Sequence, residues 1–119
     1  MPQFNRLWRF VFKAASRAES QDGAERVADR LGITLPPVKP YEVADEWMTD
    51  EVEIVEAADA ATLLGATLAL SGRLGNGWMV EKLSGFEDDG NAFGTFNPKD
   101  GNPSTVPELI WGHFEIWPV

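Results

Sequence analysis

The chain has 119 residues, of which 44% are hydrophobic and 24% are charged, a composition that argues against disorder and predicts a single domain over residues 1–119. Its 19 Asp and Glu against 10 Lys and Arg give a net charge of −9. This charge repels nucleic acids and anionic membranes at long range and favours a basic protein as partner, although acidity alone also aids solubility.

The chain contains no cysteine, so it forms no disulfide and carries out no thiolate chemistry, in keeping with the cytoplasm. Residues 1–9 are too polar for a signal peptide. The most apolar stretch, residues 57–70, is too short to span a bilayer. We therefore expect a cytoplasmic protein that does not enter a membrane.

The first predicted elements are a strand over residues 6–14 and a helix over residues 22–31. From Trp8 onward, bulky aromatic side chains of the strand alternate with a second, more polar face, which is the period of two that a strand requires. In the helix, Asp22 is the expected N-cap and Gly32 the expected stop.

A proline-rich segment follows over residues 33–40 and predicts a surface connection, because proline disfavours helix interiors and central strands. We then expect a short helical turn around residues 46–48. A second strand is predicted over residues 51–56, with Val52 and Ile54 on one face.

Residues 58–74 predict the second helix, which should end before Gly75. This segment is apolar nearly all round, with Leu64 and Leu68 among its side chains. A helix without a polar face is typical of a buried position, so we expect it to be the central helix of the domain.

Three strands complete the chain, over residues 77–83, 92–96 and 109–117, and their short connections require antiparallel pairing. One face of the last strand carries Ile110, Phe114 and Ile116, and the other carries Leu109, Trp111, His113, Glu115 and Trp117. The element order predicts an α+β fold, with a mainly antiparallel sheet of about five strands and two helices packed on one face.

Two patterns suggest chemistry, and each has a simpler explanation. His113 with Glu115 on the same strand face is typical of general acid–base pairs, but also of a solvated strand histidine, which we favour. The turn at residues 87–91 is acidic enough to hold calcium, yet it lacks the alternation of an EF-hand and fits a plain hairpin better. We therefore expect no enzymatic activity, no metal and no cofactor.

The strongest charge feature is the segment of residues 45–59, which contains no Lys or Arg. It is either a solvated acidic face or the acidic rim of a protein-binding surface centred on Trp47. Its candidate partner-binding residues are Asp45, Glu46, Trp47, Asp50, Glu51, Glu53 and Glu56.

A second candidate binding surface contains Trp111 and His113. This face is open if both helices lie on the other side of the sheet, and it is covered if the proline-rich segment folds over it.

The closing aromatic run, Leu109-Ile110-Trp111-Gly112-His113-Phe114-Glu115-Ile116-Trp117, completes a pattern of small size and strong acidity. In these features the chain resembles the immunity proteins of bacterial polymorphic toxin systems. The resemblance implies an inhibitor that blocks a basic toxin or nucleic-acid-handling enzyme, with carboxylates in place of phosphates. The alternatives are a phage-type nucleic-acid mimic, a small enzyme or ligand-binding domain using the Trp111 and His113 face, and an accessory subunit of an oligomer.

Overall fold

The computed structural model describes residues 3–40, 49–59, 63–82, 92–98 and 103–118. These residues form a six-stranded antiparallel sheet in the order β2-β3-β1-β6-β5-β4, together with two helices. The predicted α+β class is confirmed, and the strand beyond the expected five is the two-residue β2. The elements are β1 (Gln3–Lys13), α1 (Arg17–Leu31), β2 (Lys39–Pro40), β3 (Thr49–Asp59), α2 (Leu63–Ser71), β4 (Met79–Lys82), β5 (Ala92–Phe96) and β6 (Leu109–Pro118).

Strand β1 lies at the centre of the sheet, between β3 and β6. Its aromatic residues Trp8, Phe10 and Phe12 are fully buried, as the alternation predicted. Trp8 stacks on Phe10 with ring centroids 5.8 Å apart, and it meets Phe114 of β6 edge-on at the same distance. Because burying an aromatic side chain removes more apolar surface from water than burying an aliphatic one, this cluster contributes most to the core.

Both helices cover one face of the sheet, here called the inner face. Phe12 of β1 lies against α1 close to Gly23, where an added Cβ would be 3.3 Å from the ring. Arg6, on the same face of β1, donates to the Thr67 hydroxyl of α2 at 3.0 Å. The opposite side of the sheet is called the outer face.

The first helix begins earlier than its sequence pattern predicts. Ser16 is the N-cap and accepts a hydrogen bond from the Glu19 amide at 3.2 Å, while the Glu19 carboxylate accepts from the Ala15 amide. The arrangement differs from a capping box only in that Glu19 accepts from the amide of the residue before the cap. The assignment of Asp22 as the cap is wrong. The spacing of Ser16 and Glu19 was a local signal of this start, although the first turn carries no apolar pattern. Gly32 ends the helix with φ of 68°, as predicted.

The second helix is shorter than predicted and is not the central helix. Residues 58 and 59, where the helix was expected to begin, belong to β3. The helix α2 ends at Ser71, before the expected stop at Gly75. Thr67 and Ser71 are buried, whereas Leu68 is 39% exposed. The expectation of a buried apolar helix is therefore wrong, because the aromatic strands already fill the centre of the domain.

The chain after α2 completes the core over β5 and β6. Leu74 is fully buried, and Trp78 stacks on Phe96 at 5.2 Å and packs against Phe114 at 5.6 Å. The Trp78 indole N–H donates to the Ser71 carbonyl at 3.0 Å. Neither described helix has the length and apolar character needed to cross a membrane.

A β-bulge at the start of β6 changes the faces on which Leu109 and Ile110 lie. Val11 pairs with Trp111 but Phe12 pairs with Leu109, so Ile110 is an extra residue in the ladder. Leu109 is consequently buried at 2% exposure and Ile110 is 38% exposed. The prediction that Ile110 shares a face with Phe114 and Ile116 is wrong for this reason, and it is Leu109 that lies on their buried face.

Candidate interaction surface

The outer face is built from the residues that alternate with the core side chains along each strand. Its edges are well exposed, since Val55 is 50% and Met79 is 73% exposed. The face comprises Leu7, Arg9, Val11, Glu51, Glu53, Val55, Met79, Glu81, Phe93, Thr95, Trp111, His113, Glu115 and Trp117.

His113 lies at the centre of an aromatic and polar cluster on the β5–β6 part of this face. Its ring stacks on Trp111, with centroids 5.4 Å apart and planes inclined by 9°, and Phe93 lies 6.2 Å away. Its Nδ1 is 3.0 Å from the Thr95 hydroxyl, and its Nε2 is 3.3 Å from a Glu115 carboxylate oxygen. With the proton on Nε2, the imidazole donates to Glu115 and accepts from Thr95. These contacts fix the orientation of the ring.

This arrangement contains the hydroxyl, imidazole and carboxylate of a nucleophile–base–orienter chain. Acyl transfer also needs free donors that stabilise an oxyanion. Thr95 lies in β5, which is hydrogen-bonded to β4 and β6, and His113 lies in β6, which is hydrogen-bonded to β5 and β1. Their backbone amides are therefore engaged in the sheet, which holds the cluster rigidly in place.

The acidic residues of β3 alternate between the two faces rather than forming one strip. Asp50, with a side chain 5% exposed, lies on the inner face and accepts a hydrogen bond from Arg17 at 3.1 Å. Glu56 is also on the inner face and pairs with Arg6. Two of the predicted partner-binding residues, Asp50 and Glu56, therefore lie on the side of the sheet that the helices cover.

Two further carboxylates of β3, those of Glu51 and Glu53, lie on the outer face. Glu51 is 2.8 Å from Arg9 and 3.6 Å from Lys39, and its side chain is 14% exposed. Glu53 is 46% exposed and 3.9 Å from Arg9. Arginine and lysine side chains of the same chain therefore pair with carboxylates that were expected to face solvent or a partner.

The structure brings together Glu51, Glu53, Trp111 and His113 on the outer face. Asp45, Glu46 and Trp47, like the acidic turn at residues 87–91, lie outside the described residues. No protein-family model, curated protein or solved structure matches the chain. The interpretation of the outer face therefore depends on its geometry and charge.

Sequence reasoning missed the contribution of β4 and β5 to this face. Phe93 and Thr95 pair with Glu115 and His113, and Glu81 and Met79 lie beside them in β4. The signal was present, because residues 92–96 alternate with the period of a strand. The sequence does not contain the register that places Phe93 and Thr95 beside β6.

The proline-rich segment does not cover the outer face. The Val38 amide donates to the Gln21 side chain of α1 at 3.0 Å, and Ile33 and Leu35 pack against the core. The segment therefore closes the inner face next to α1. Of the two alternatives for the Trp111 and His113 face, coverage by this segment is excluded.

A groove of about 380 Å³ lies near the bulge in β6. It is lined mainly by proline and aliphatic side chains and does not include His113. Its residues are Pro98, Pro103, Ser104, Pro107, Leu109 and Ile110.

Proposed function

We propose that the protein is a non-catalytic binding protein that holds a basic protein partner on the outer face of its sheet. The observation that carries this proposal is the cluster of Trp111, His113 and Phe93, which is partly exposed on a face that neither helix covers. Aromatic side chains at the centre of a surface, surrounded by polar groups, are the usual anchors of protein interfaces.

The charge of the surface supports a basic partner. On the β4, β5 and β6 part of the outer face, the acidic side chains of the described residues are Glu81 and Glu115, both exposed. Most carboxylates of β3 pair with arginines of the same chain. The remaining excess of negative charge, −9 for the whole chain, attracts a cationic surface and accelerates its encounter.

The finer proposal is that the protein is an inhibitor of the immunity-protein type. A toxin or enzyme that handles nucleic acid needs Lys and Arg in its cleft to bind phosphates. An acidic surface with aromatic anchors can occupy such a cleft and block it. A nucleic-acid mimic instead needs rows of free carboxylates along one face, and the alternation and internal pairing of Asp50, Glu51 and Glu56 favour it less.

The test is affinity capture from extracts of the native host, with the wild-type protein and the Trp111→Ala variant as baits. Leu68→Ala is the matched control, because Leu68 is also partly exposed but lies on α2. We expect the wild type and Leu68→Ala to retain one basic protein that Trp111→Ala retains at least ten-fold less. The purified complex should weaken when salt is raised.

Retention that is equal for all three proteins, or a partner without excess positive charge, would contradict the proposal. Loss of host nuclease or toxin activity on binding would support the inhibitor role, and unchanged partner activity would exclude it.

A further inference from the structure

The two edges of the sheet differ in their position relative to the aromatic cluster. One edge is formed by β2, which consists only of Lys39 and Pro40, and by the part of β3 beyond Glu51, with which no described residue pairs on that side. Proline has no backbone N–H and blocks pairing at β2, and β1 separates β3 from the aromatic cluster of β5 and β6. The other edge is β4, Met79–Lys82, which has no proline and pairs with β5. No described residue pairs with the side of β4 that is turned away from β5.

The β4 edge also carries an exposed apolar side chain. Met79 is 73% exposed, more than Val55 at 50% or Leu68 at 39%. It lies on the outer face opposite Thr95, and Glu81 lies opposite Phe93. The edge is therefore continuous with the aromatic cluster, since Thr95 and Phe93 both contact His113.

We propose that the partner adds an extended strand to the β4 edge, with a Lys or Arg beside Glu81 and an apolar side chain beside Met79. This inference rests on the proposed function and specifies how the partner is held. Backbone hydrogen bonds to the edge provide affinity, and the alternating side chains of the added strand provide specificity. The rest of the partner then covers the cluster around His113.

A basic strand fits this edge better than a second copy of the chain. Antiparallel self-pairing centred on Val80 places Glu81 opposite the apolar Met79, and pairing centred on Glu81 places two carboxylates opposite each other. Like charges at opposed positions destabilise a sheet. Two copies would also each carry −9, whereas a cationic strand neutralises Glu81.

The test uses the full chain, labelled with ¹⁵N, and three synthetic heptapeptides observed by NMR. The probe is Lys-Thr-Val-Thr-Lys-Thr-Val, in which Lys and Val follow each other on one face of the strand, as Met79 and Glu81 do on β4. The charge control has Glu in place of each Lys. The pairing control is the probe with a methyl group on every backbone nitrogen, which keeps its charge and removes the N–H donors of both edges.

We expect the Lys and Val peptide to shift the amide signals of Met79–Lys82 and to slow their hydrogen exchange at least five-fold, and both controls to leave them unchanged. The Glu81→Lys variant, an exposed change that keeps the fold, should prefer the Glu and Val peptide.

Two results would overturn strand addition. One is a response confined to the indole of Trp111 and the ring of His113, which would leave the proposed function in place. The other is no response to any peptide, combined with captured partner that still depends on Trp111. Failure of the Trp111→Ala capture experiment would instead remove the proposed function itself, so the two failures are distinguishable.

Discussion

The guanidinium of Arg6 donates to one carboxylate oxygen of Glu56 from both Nε, at 2.9 Å, and Nη2, at 2.5 Å. Its Nη1 donates to Thr67 of α2 at 3.0 Å, and its Cζ lies 5.3 Å from the centroid of the Trp8 ring. The side chains of Arg6 and Glu56 are only 11% and 29% exposed. This pair therefore connects β1, β3 and α2 on the inner face.

Glu56→Gln should consequently lower the free energy of unfolding by about 2 kcal/mol, because it removes the charge that faces a nearly buried guanidinium. Glu53→Gln is the matched control on the same strand. Glu53 is 46% exposed and 3.9 Å from Arg9, so its loss should cost under about 0.5 kcal/mol. Urea unfolding of both variants measures the difference, and equal costs would show that the Arg6 pair has no structural role.

The acidic run of residues 45–59 shows what local sequence could and could not predict. The sequence identified the run and its lack of neighbouring Lys or Arg along the chain. The cations come from other elements, since Arg6 and Arg9 of β1 lie opposite Glu56 and Glu53, and Arg17 of α1 contacts Asp50. Strand order, register and helix packing bring these residues together, and none of them is contained in the spacing of charges.

The strands were predicted well because the alternation of side chains along a strand is a local property of the sequence. The burial of the second helix was not predicted well. Alternation along β1 separates buried from partly exposed residues without any knowledge of neighbours. An apolar helix carries no such marker, and its burial depends on what else fills the core. The bulge at Ile110 escaped prediction for a related reason, because an extra residue is defined only against the partner strand.

The contrast between Leu74 and Leu68 tests this account of the core. Leu74 is fully buried and Leu68 is 39% exposed. Leu74→Ala should therefore cost about 2–5 kcal/mol of stability, and Leu68→Ala under about 1 kcal/mol. Thermal or urea unfolding gives both values. A larger loss for Leu68→Ala would restore the buried position that the sequence suggested for the second helix.

The start of α1 gives a second matched comparison. Ser16→Ala removes the hydrogen bond that the hydroxyl accepts from the Glu19 amide and should cost about 1 kcal/mol. Asp22 is exposed inside the helix, so Asp22→Ala should change stability by less than about 0.5 kcal/mol. If chemical unfolding showed a larger loss of stability for Asp22→Ala than for Ser16→Ala, the helix would begin at the position predicted from sequence.

Gly94 of β5 lies too close to the core for any side chain. A Cβ built there would be 2.6 Å from Cζ of Phe114 and would also overlap its Cε2. Because Phe114 is fully buried, its ring has little space to move, and Gly94→Ala should cost about 1–3 kcal/mol. Gly72→Ala is the control, since the nearest atoms lie 3.5 Å from its added Cβ. A Gly94→Ala variant as stable as wild type would place the Phe114 ring elsewhere.

The position of negative charge, and not only its amount, should determine how fast the partner associates. Glu115→Gln and Glu25→Gln each remove one exposed carboxylate, the first beside His113 on the outer face and the second on α1. Because charges at the rim of an interface act mainly on encounter, Glu115→Gln should slow association by about two- to five-fold at low salt and by less at high salt. Glu25→Gln should leave the rate within about 1.5-fold of wild type, because α1 covers the inner face. Surface plasmon resonance with the captured partner measures both rates, and equal slowing by the two variants would mean that net charge alone steers the encounter and that the outer face is not where the partner docks.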